Sequence, residues 1–397
     1  MLIGNNDMNK SLLVIGGTGV ISYAVVLEAV KQGYNVTCIN RGKTKSQTLP
    51  PEVEVLKSDY RDGERIAQLL NGRMYDAVLD VLCFHKEDID YSMSLFKDHC
   101  KQYFFFSSAE AYNKPKYEDS VCNENAELVN PLWSYSINKA ACEEELKRLA
   151  VKYNVKYTIV RPAITYGNTR IPYGVMPPYG YHGTIIQRLL HHKPIITWDG
   201  GKANAVIIRV EDFAFGFVGL IGNEKAYNQA FHISGDENHS WKEVIDIVAR
   251  QLHVSPVYVD VSSTDLGNEL PRLKEQIVGG RAISQYLDNT KIKDAVRGFK
   301  TKILLEEGIK MTIDYYQRNN YLYGIDWKFD GDMDRIAAKY DKSYNPIFVD
   351  YLGNATNEDR VNYNHSLKKN VTKERLNLYV YGRLSSIIKR VKMFVRR

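Results

Sequence analysis

The first apolar block, Ser11-Leu12-Leu13-Val14-Ile15, is five residues long and runs directly into Gly16-Gly17. It is too short for a helix and shows no polar alternation, the pattern of a strand covered on both faces. Residues 20–30 are mostly apolar over a helical length. Short strand-like runs return at 35–39, 53–56, 77–81 and 102–106. Short buried strands interleaved with helical stretches predict an α/β fold, a doubly wound parallel-sheet Rossmann domain. A long helical pattern covers 131–152, with Pro131 suited to its first turn and Leu146, Leu149 and Ala150 on one stripe.

The turn between the first strand and the first helix is Gly16-Gly17-Thr18-Gly19, followed by Val20-Ile21-Ser22. Strand, glycine turn and helix together are the context in which a glycine fingerprint holds a dinucleotide. Gly16 permits the sharp turn and Gly19 lets the backbone approach a pyrophosphate. The helix start offers free N–H groups to that anion. The third small position is Ser22 rather than glycine. The second strand ends at Asn40-Arg41-Gly42, with Lys43 and Lys45 beyond. No carboxylate stands there to accept from a ribose 2′-hydroxyl, whereas a guanidinium suits a 2′-phosphate. The expected cofactor is therefore NAD or NADP, with a lean to NADP. Asp59, after the third strand, is placed to meet the adenine.

Ser107-Ser108 follow the run at 102–106, at the carboxyl end of a strand where open α/β sheets bind ligands. Tyr135 and Lys139 lie four apart on the helical stretch and so share a face. A lysine charge beside a phenol is expected to lower its pKa, and the cofactor's positive ring to add to this, letting tyrosine exchange a proton near neutral pH. Together with the glycine turn, the pair points to hydride transfer at a carbon bearing a hydroxyl.

The order of these motifs resembles the extended short-chain dehydrogenases/reductases of the NAD-dependent epimerase/dehydratase family. The matching segments are Gly16–Ser22, Asp59, Ser107-Ser108-Ala109-Glu110-Ala111-Tyr112, the Tyr135…Lys139 pair and Arg161-Pro162 through Gly167. Residues 209–214 and 230–235 resemble the family's later strands, and 288–292 its closing segment. The likeness spans roughly residues 10–315. It implies catalytic roles for Ser108, Tyr135 and Lys139. It implies cofactor contacts from Gly16, Thr18, Gly19, Val20, Ile21, Arg41, Asp59, Ser107, Tyr135, Lys139 and Pro162, and no metal. The implied activity is epimerisation or reduction at a sugar hydroxyl, with a nucleotide sugar as substrate. Two departures stand out. The acidic pair used in dehydration is reduced to Glu110, because Ala109 occupies the first place. The arginine expected ahead of the Val-x-Asp segment falls on Ala205, leaving Lys202 or Arg209 to compensate. Ser22 and the Asn-Arg-Gly after the second strand resemble a subgroup that includes RNA-binding members, so a cofactor-sensing or RNA-binding protein is the alternative.

The resemblance implies a Rossmann domain over 8–167, rejoined by strands near 206–234, then a substrate lobe over 168–330, and leaves an extension over 331–397. A loop rich in Tyr, Gly and Pro follows Asn168, and the resemblance implies that it covers the substrate. Five cysteines show no metal or disulfide spacing, and no apolar run is long enough to span a bilayer. Both features suggest a cytoplasmic protein. Residues 373–397 hold eight basic side chains and one acid, Glu374, so this tail accounts for the net charge of +6. Leu376, Val380, Leu384, Ile387, Val391 and Phe394 recur at helical spacing among those charges. A basic amphipathic helix reads as a contact with the inner membrane face or a partner. A homodimer is a further expectation, and nucleic acid a weak one.

Overall fold

The computed structural model describes residues 10–42 and 47–379. The first half alternates strand and helix: β1 (Ser11–Ile15), α1 (Val20–Lys31), β2 (Asn35–Asn40), β3 (Glu54–Lys57), α2 (Gly63–Leu70), β4 (Tyr75–Asp80), α3 (Lys86–Phe96) and β5 (Cys100–Phe106). The short β6 (Val121–Cys122), α4 (Ser134–Tyr153) and β7 (Lys156–Pro162) follow. Then come β8 (Ile164–Tyr166), α5 (Gly183–Leu190), β9 (Ile195–Trp198), β10 (Asn204–Arg209), α6 (Val210–Val218) and β11 (Gln229–Ile233). After them run β12 (Asn238–Ser240), α7 (Trp241–Gln251) and β13 (Tyr258–Val261).

Seven strands form one sheet in the order β3-β2-β1-β4-β5-β7-β11, and every pairing in it is parallel. The order reverses between β1 and β4, so the crevice for a ligand opens at the carboxyl end of β1. Both faces of the sheet are covered. Leu12, Val14 and Phe104 pack with α1 and α6 on one side. Leu13, Ile15 and Phe105 pack with Ile89, Met93, Cys142 and Leu146 on the other. That two-sided burial is why these strands read as unbroken apolar runs.

A separate core joins Tyr173, Trp198, Trp241 and helix Leu305–Arg318 into a second lobe. Here two expectations are corrected. Helix Trp327–Tyr340 contributes Met333, Ile336 and Ala337 to that core, so a boundary at 330/331 would cut a helix that packs as one piece. Arg209 ends β10, and residues 210–214 turn into α6 rather than continuing a strand. The helix clamps to the lobe through buried charges. Asp330 and Asp334 pair with Arg188 at 2.6 and 2.9 Å, and with Lys193 at 3.2 and 2.6 Å. Two cations match two anions, and Tyr351 and Tyr363 donate to the same carboxylates, which is how buried charge is tolerated. Residues 371–379 begin the basic tail as helix, with Leu376 and Tyr379 exposed and Glu374 paired to Arg272 and Lys369. The rest of the tail stripe, Lys43 and Lys45 lie outside the described residues.

Candidate active site

The turn after β1 is closed by side chains that the sequence places there. Gly16 has φ +85°, which favours glycine. A Cβ at Gly17 would stand 2.6 Å from Cys38 Sγ on β2, so only glycine fits without displacing that buried side chain. Asn40 Oδ1 accepts from Gly17 N–H at 2.9 Å. Ser22 Oγ donates to Gly16 O at 2.7 Å and accepts from Gly19 N–H at 3.1 Å. The serine in the third small position therefore locks the turn, something a glycine there could not do.

The buried face of α4 carries Ser136, Lys139, Ala140, Glu143, Leu146 and Ala150, a helical repeat with two charges in it. Glu143 takes both ends of the Arg161 guanidinium at 2.9 and 2.7 Å, fixing α4 to β7. The helix starts at Ser134, so Pro131 lies before it and not in its first turn. Asn130 is fully buried and organises that entry by accepting from Leu132 N–H.

These elements surround a cavity of about 570 Å³ at the carboxyl end of β1. Of the residues expected there, Gly19, Val20, Ile21, Ser107, Ser108, Tyr135, Lys139 and Pro162 line it. Gly16 and Thr18 shape the turn but are not among the lining residues. Arg41 and Asp59 are not brought to the cavity. Both are exposed, beyond the ends of β2 and β3 along the same sheet edge, and Asp59 accepts from Arg61 N–H. Arg209 is completely buried and bonded to Gly308 O, Thr312 and Asn168, so it cannot compensate for Ala205 in the cavity. Lys202 does not line it either.

Lys139 donates to the carbonyls of Cys83 and Phe106, both at 2.8 Å, which leaves its third N–H for another acceptor. Burial pulls its pKa down to about 8. The expected depression of Tyr135 is not what the packing produces. Burial pushes the phenol up to about 12; the Ser108 hydroxyl acts against this, and the Glu110 charge adds to it. Ser108 is oriented by accepting from Glu110 N–H at 3.1 Å. The Ser107 hydroxyl is buried without a hydrogen-bond partner among the described residues.

The cavity also holds groups that the motifs did not reveal: Trp133, Arg170, Tyr179, Gln276, Arg281 and Gln285. Arg281 comes from a wide π turn, Ile277–Arg281, a device often found at functional sites. Gly279 and Gly280 let that turn press on Leu132 and Trp133, where a Cβ would fall 2.9 and 2.7 Å from their atoms. The Gly-Gly-Arg sequence was the available signal. The Arg281 carbonyl accepts from the indoles of Trp198 and Trp241 at 3.0 and 2.8 Å. Its guanidinium pairs with Glu110, which also meets Lys114 at 2.6 Å. Burial opposes ionisation of Glu110, but these two cations outweigh it and hold the carboxyl at about 2. The tyrosine-rich loop is divided. Tyr173 packs into the lobe against Trp198, whereas Arg170 and Tyr179 reach the cavity. Among the described residues no cluster suits a metal, all five cysteines are buried and unbridged, and no helix is long and apolar enough to cross a membrane.

The model of the NAD dependent epimerase/dehydratase family matches residues 12–233. The chain is 29% identical over 240 residues to a chloroplast stem-loop binding protein of 41 kDa from Arabidopsis thaliana, covering 57% of this chain and 59% of that one. It is 26% identical over 340 residues to a putative UDP-glucose 4-epimerase from Methanocaldococcus jannaschii, covering 78% and 99%. The fold matches a UDP-glucuronic acid 4-epimerase from Bacillus cereus, solved with UDP-glucuronic acid and NAD. That match has a TM-score of 0.63 at 16% identity, over 78% of this chain and 99% of that one.

Proposed function

Because the chain belongs to the NAD dependent epimerase/dehydratase family, we propose that it is an NAD(P)-dependent epimerase or reductase acting on a hydroxyl of a nucleotide sugar. The observation that carries this is one cavity lined by Gly19 at the end of the glycine turn, by the Ser107 hydroxyl, unpartnered among the described residues, and by the set Ser108, Tyr135 and Lys139. The turn fits a dinucleotide: the start of α1 faces the cavity at Gly19 and Val20, and Gly17 keeps the backbone tight against β2. Lys139 would hold the nicotinamide ribose with its remaining N–H. A bound dinucleotide supplies the hydride acceptor and a positive ring beside the phenol. Tyr135 takes the carbinol proton while Ser108 holds that oxygen. Dehydration is disfavoured, since Glu110 is locked as a carboxylate between Lys114 and Arg281 and Ala109 offers no proton. The lobe beyond residue 168 supplies Arg170, Tyr179 and Arg281 to the sugar side.

Two tests follow. Mass spectrometry of the purified protein should find a nicotinamide dinucleotide. Retained NAD indicates an epimerase, which recycles its cofactor, and an open site that accepts NADPH indicates a reductase. Arg41, at the end of β2 where no carboxylate stands, supports the 2′-phosphate. Arg41→Ser should therefore weaken NADP roughly 10-fold or more relative to NAD, and an unchanged ratio removes the NADP preference. RNA binding that is lost with salt, without turnover of any nucleotide sugar, would favour the RNA-binding alternative.

The tail carries a separate expectation. Eight basic residues from 373 onward, with Leu376 and Tyr379 exposed where the helix begins, support attachment to an anionic membrane surface at about 1 kcal/mol per basic group. Sedimentation with anionic vesicles at low salt should fall when the chain is ended at Thr372. Equal sedimentation of both forms rejects the attachment.

A further inference from the structure

Asp80 ends β4 and is completely buried. Its Oδ2 accepts from the hydroxyls of Tyr60 and Ser92 at 2.7 and 2.6 Å, and its Oδ1 accepts from Leu82 N–H at 2.7 Å. The Tyr103 hydroxyl stands 2.6 Å from Ser92 Oγ and donates to it, because the serine proton is turned to Asp80. Every proton in this chain points at the carboxyl, the arrangement of its ionised, acceptor-only form. Burial raises its pKa, and these donors act against that.

The backbone ties Asp80 to Lys139 by two routes. Along the turn, Asp80 holds Leu82 N–H, and the carbonyl of the next residue, Cys83, accepts from Lys139 Nζ at 2.8 Å. Val81 and Phe84 of the same turn line the cavity. Across the sheet, Asp80 pairs in register with Phe105, whose ring centre is 4.9 Å from the ammonium. The following carbonyl, Phe106 O, takes the second Lys139 N–H. The other titratable groups facing Lys139 bring it no free negative charge. They are Tyr135, Cys142 and Glu143 on its own helix and Cys83 on the turn. Burial pushes Tyr135 and Cys142 up to about 12 and Cys83 well above its ordinary value, so all three are neutral. Glu143 is taken at both oxygens by Arg161. Asp80 is thus the uncompensated anion on this side among the described residues.

Resting on the reading of Lys139 as the group that holds the cofactor ribose, we propose that Asp80 is a positioning residue for it. Through the 81–84 turn Asp80 aims the ammonium into the cavity, and as the anion behind that turn it keeps the ammonium charged. Burial disfavours the charged form of a lysine, and an opposite charge nearby restores it.

The test is fluorescence titration of the full-length protein with NADH from about pH 6 to 9.5. In the wild type, affinity should fall as pH rises through about 8, where burial leaves the ammonium to lose its proton. Asp80→Asn keeps the shape and an acceptor for Leu82 N–H but loses the charge. The fall should then come roughly one pH unit lower, with affinity near pH 6 close to that of the wild type. Should the amide not fold, Asp80→Ser is the second variant; its hydroxyl accepts in the same turn, and the same displacement is expected. A wild-type midpoint in a folded Asp80 variant overturns the proposal, whatever its Tm, because a merely structural carboxyl lowers stability and leaves the midpoint in place. Lys139→Met separates this inference from the reading beneath it. Wild-type NADH affinity in Lys139→Met at every pH overturns the reading, and Asp80 with it. Lost affinity in Lys139→Met beside an unmoved Asp80→Asn midpoint rejects the role of Asp80 alone.

Discussion

Replacing Tyr135 by Phe should lower kcat by roughly 10²- to 10⁴-fold, the usual worth of a positioned proton-transfer group. The substitution removes one oxygen and keeps the ring. Its contact with Trp133, at 5.3 Å between centres, survives, as does the Lys139 ammonium 5.8 Å from its centre. The Lys139 hydrogen bonds to Cys83 and Phe106 do not involve the phenol. Cofactor binding should therefore be unchanged, and sugar KM should move far less than kcat. The decisive measurement is steady-state turnover beside cofactor affinity by fluorescence titration. A variant with wild-type kcat would remove Tyr135 from the chemistry. A variant that loses cofactor would show the ring to be a packing element. In the protein alone, burial holds the phenol at about 12. The wild-type rate should thus rise with pH and level off at the phenol's pKa in the cofactor complex, which the cofactor's positive ring moves below that value.

The parts of the fold legible in the sequence are those whose signal is local. Strands β1, β2, β4 and β5 are covered on both faces, so their residues form continuous apolar runs that hardly depend on register. The glycine turn is legible because its geometry is written in four consecutive residues. The Tyr135–Lys139 pair is legible because one helix face holds both. What escaped depends on distant partners. Arg281 meets Glu110 across 171 positions, and no local pattern links them. The helical spacing predicts that the pKa of Tyr135 falls through Lys139, with the cofactor's positive ring adding to the effect. The folded chain instead adds burial and the Glu110 charge, and Lys139 turns its donors to two carbonyls. Pro131 fits the rule for a first helical turn, yet the neighbouring Asn130 side chain and the contact with the 277–281 turn set the helix start three residues later. Arg41 and Asp59 show the reverse case: their motif positions are plain, and the structure leaves them exposed beyond the carboxyl ends of β2 and β3, outside the lining of the cavity.

Exchanging Glu110 for Gln should destabilise the protein by about 3–5 kcal/mol, the cost of leaving buried charge without its partner. Glu110 sits between Lys114 and Arg281, side chains 3% and 8% exposed. Neither cation has another carboxylate partner among the described residues. Burial already pulls the Lys114 pKa down, and Glu110 is the main force holding it up. The amide keeps the shape and loses the charge, so the effect is electrostatic rather than a cavity. The pH dependence gives an independent check. The folded carboxyl, at about 2, lies below its ordinary value of 4.5. Its stabilising contribution is therefore complete above about pH 4.5 and is lost as pH falls through 2. Urea unfolding across that window should show the loss in the wild type and a flatter profile in Glu110→Gln. Adding Lys114→Met to the variant should recover part of the stability, because one of the two stranded charges is gone, and the two changes should not add. If Glu110→Gln is as stable as the wild type at neutral pH, the carboxylate is not compensating Arg281 and Lys114.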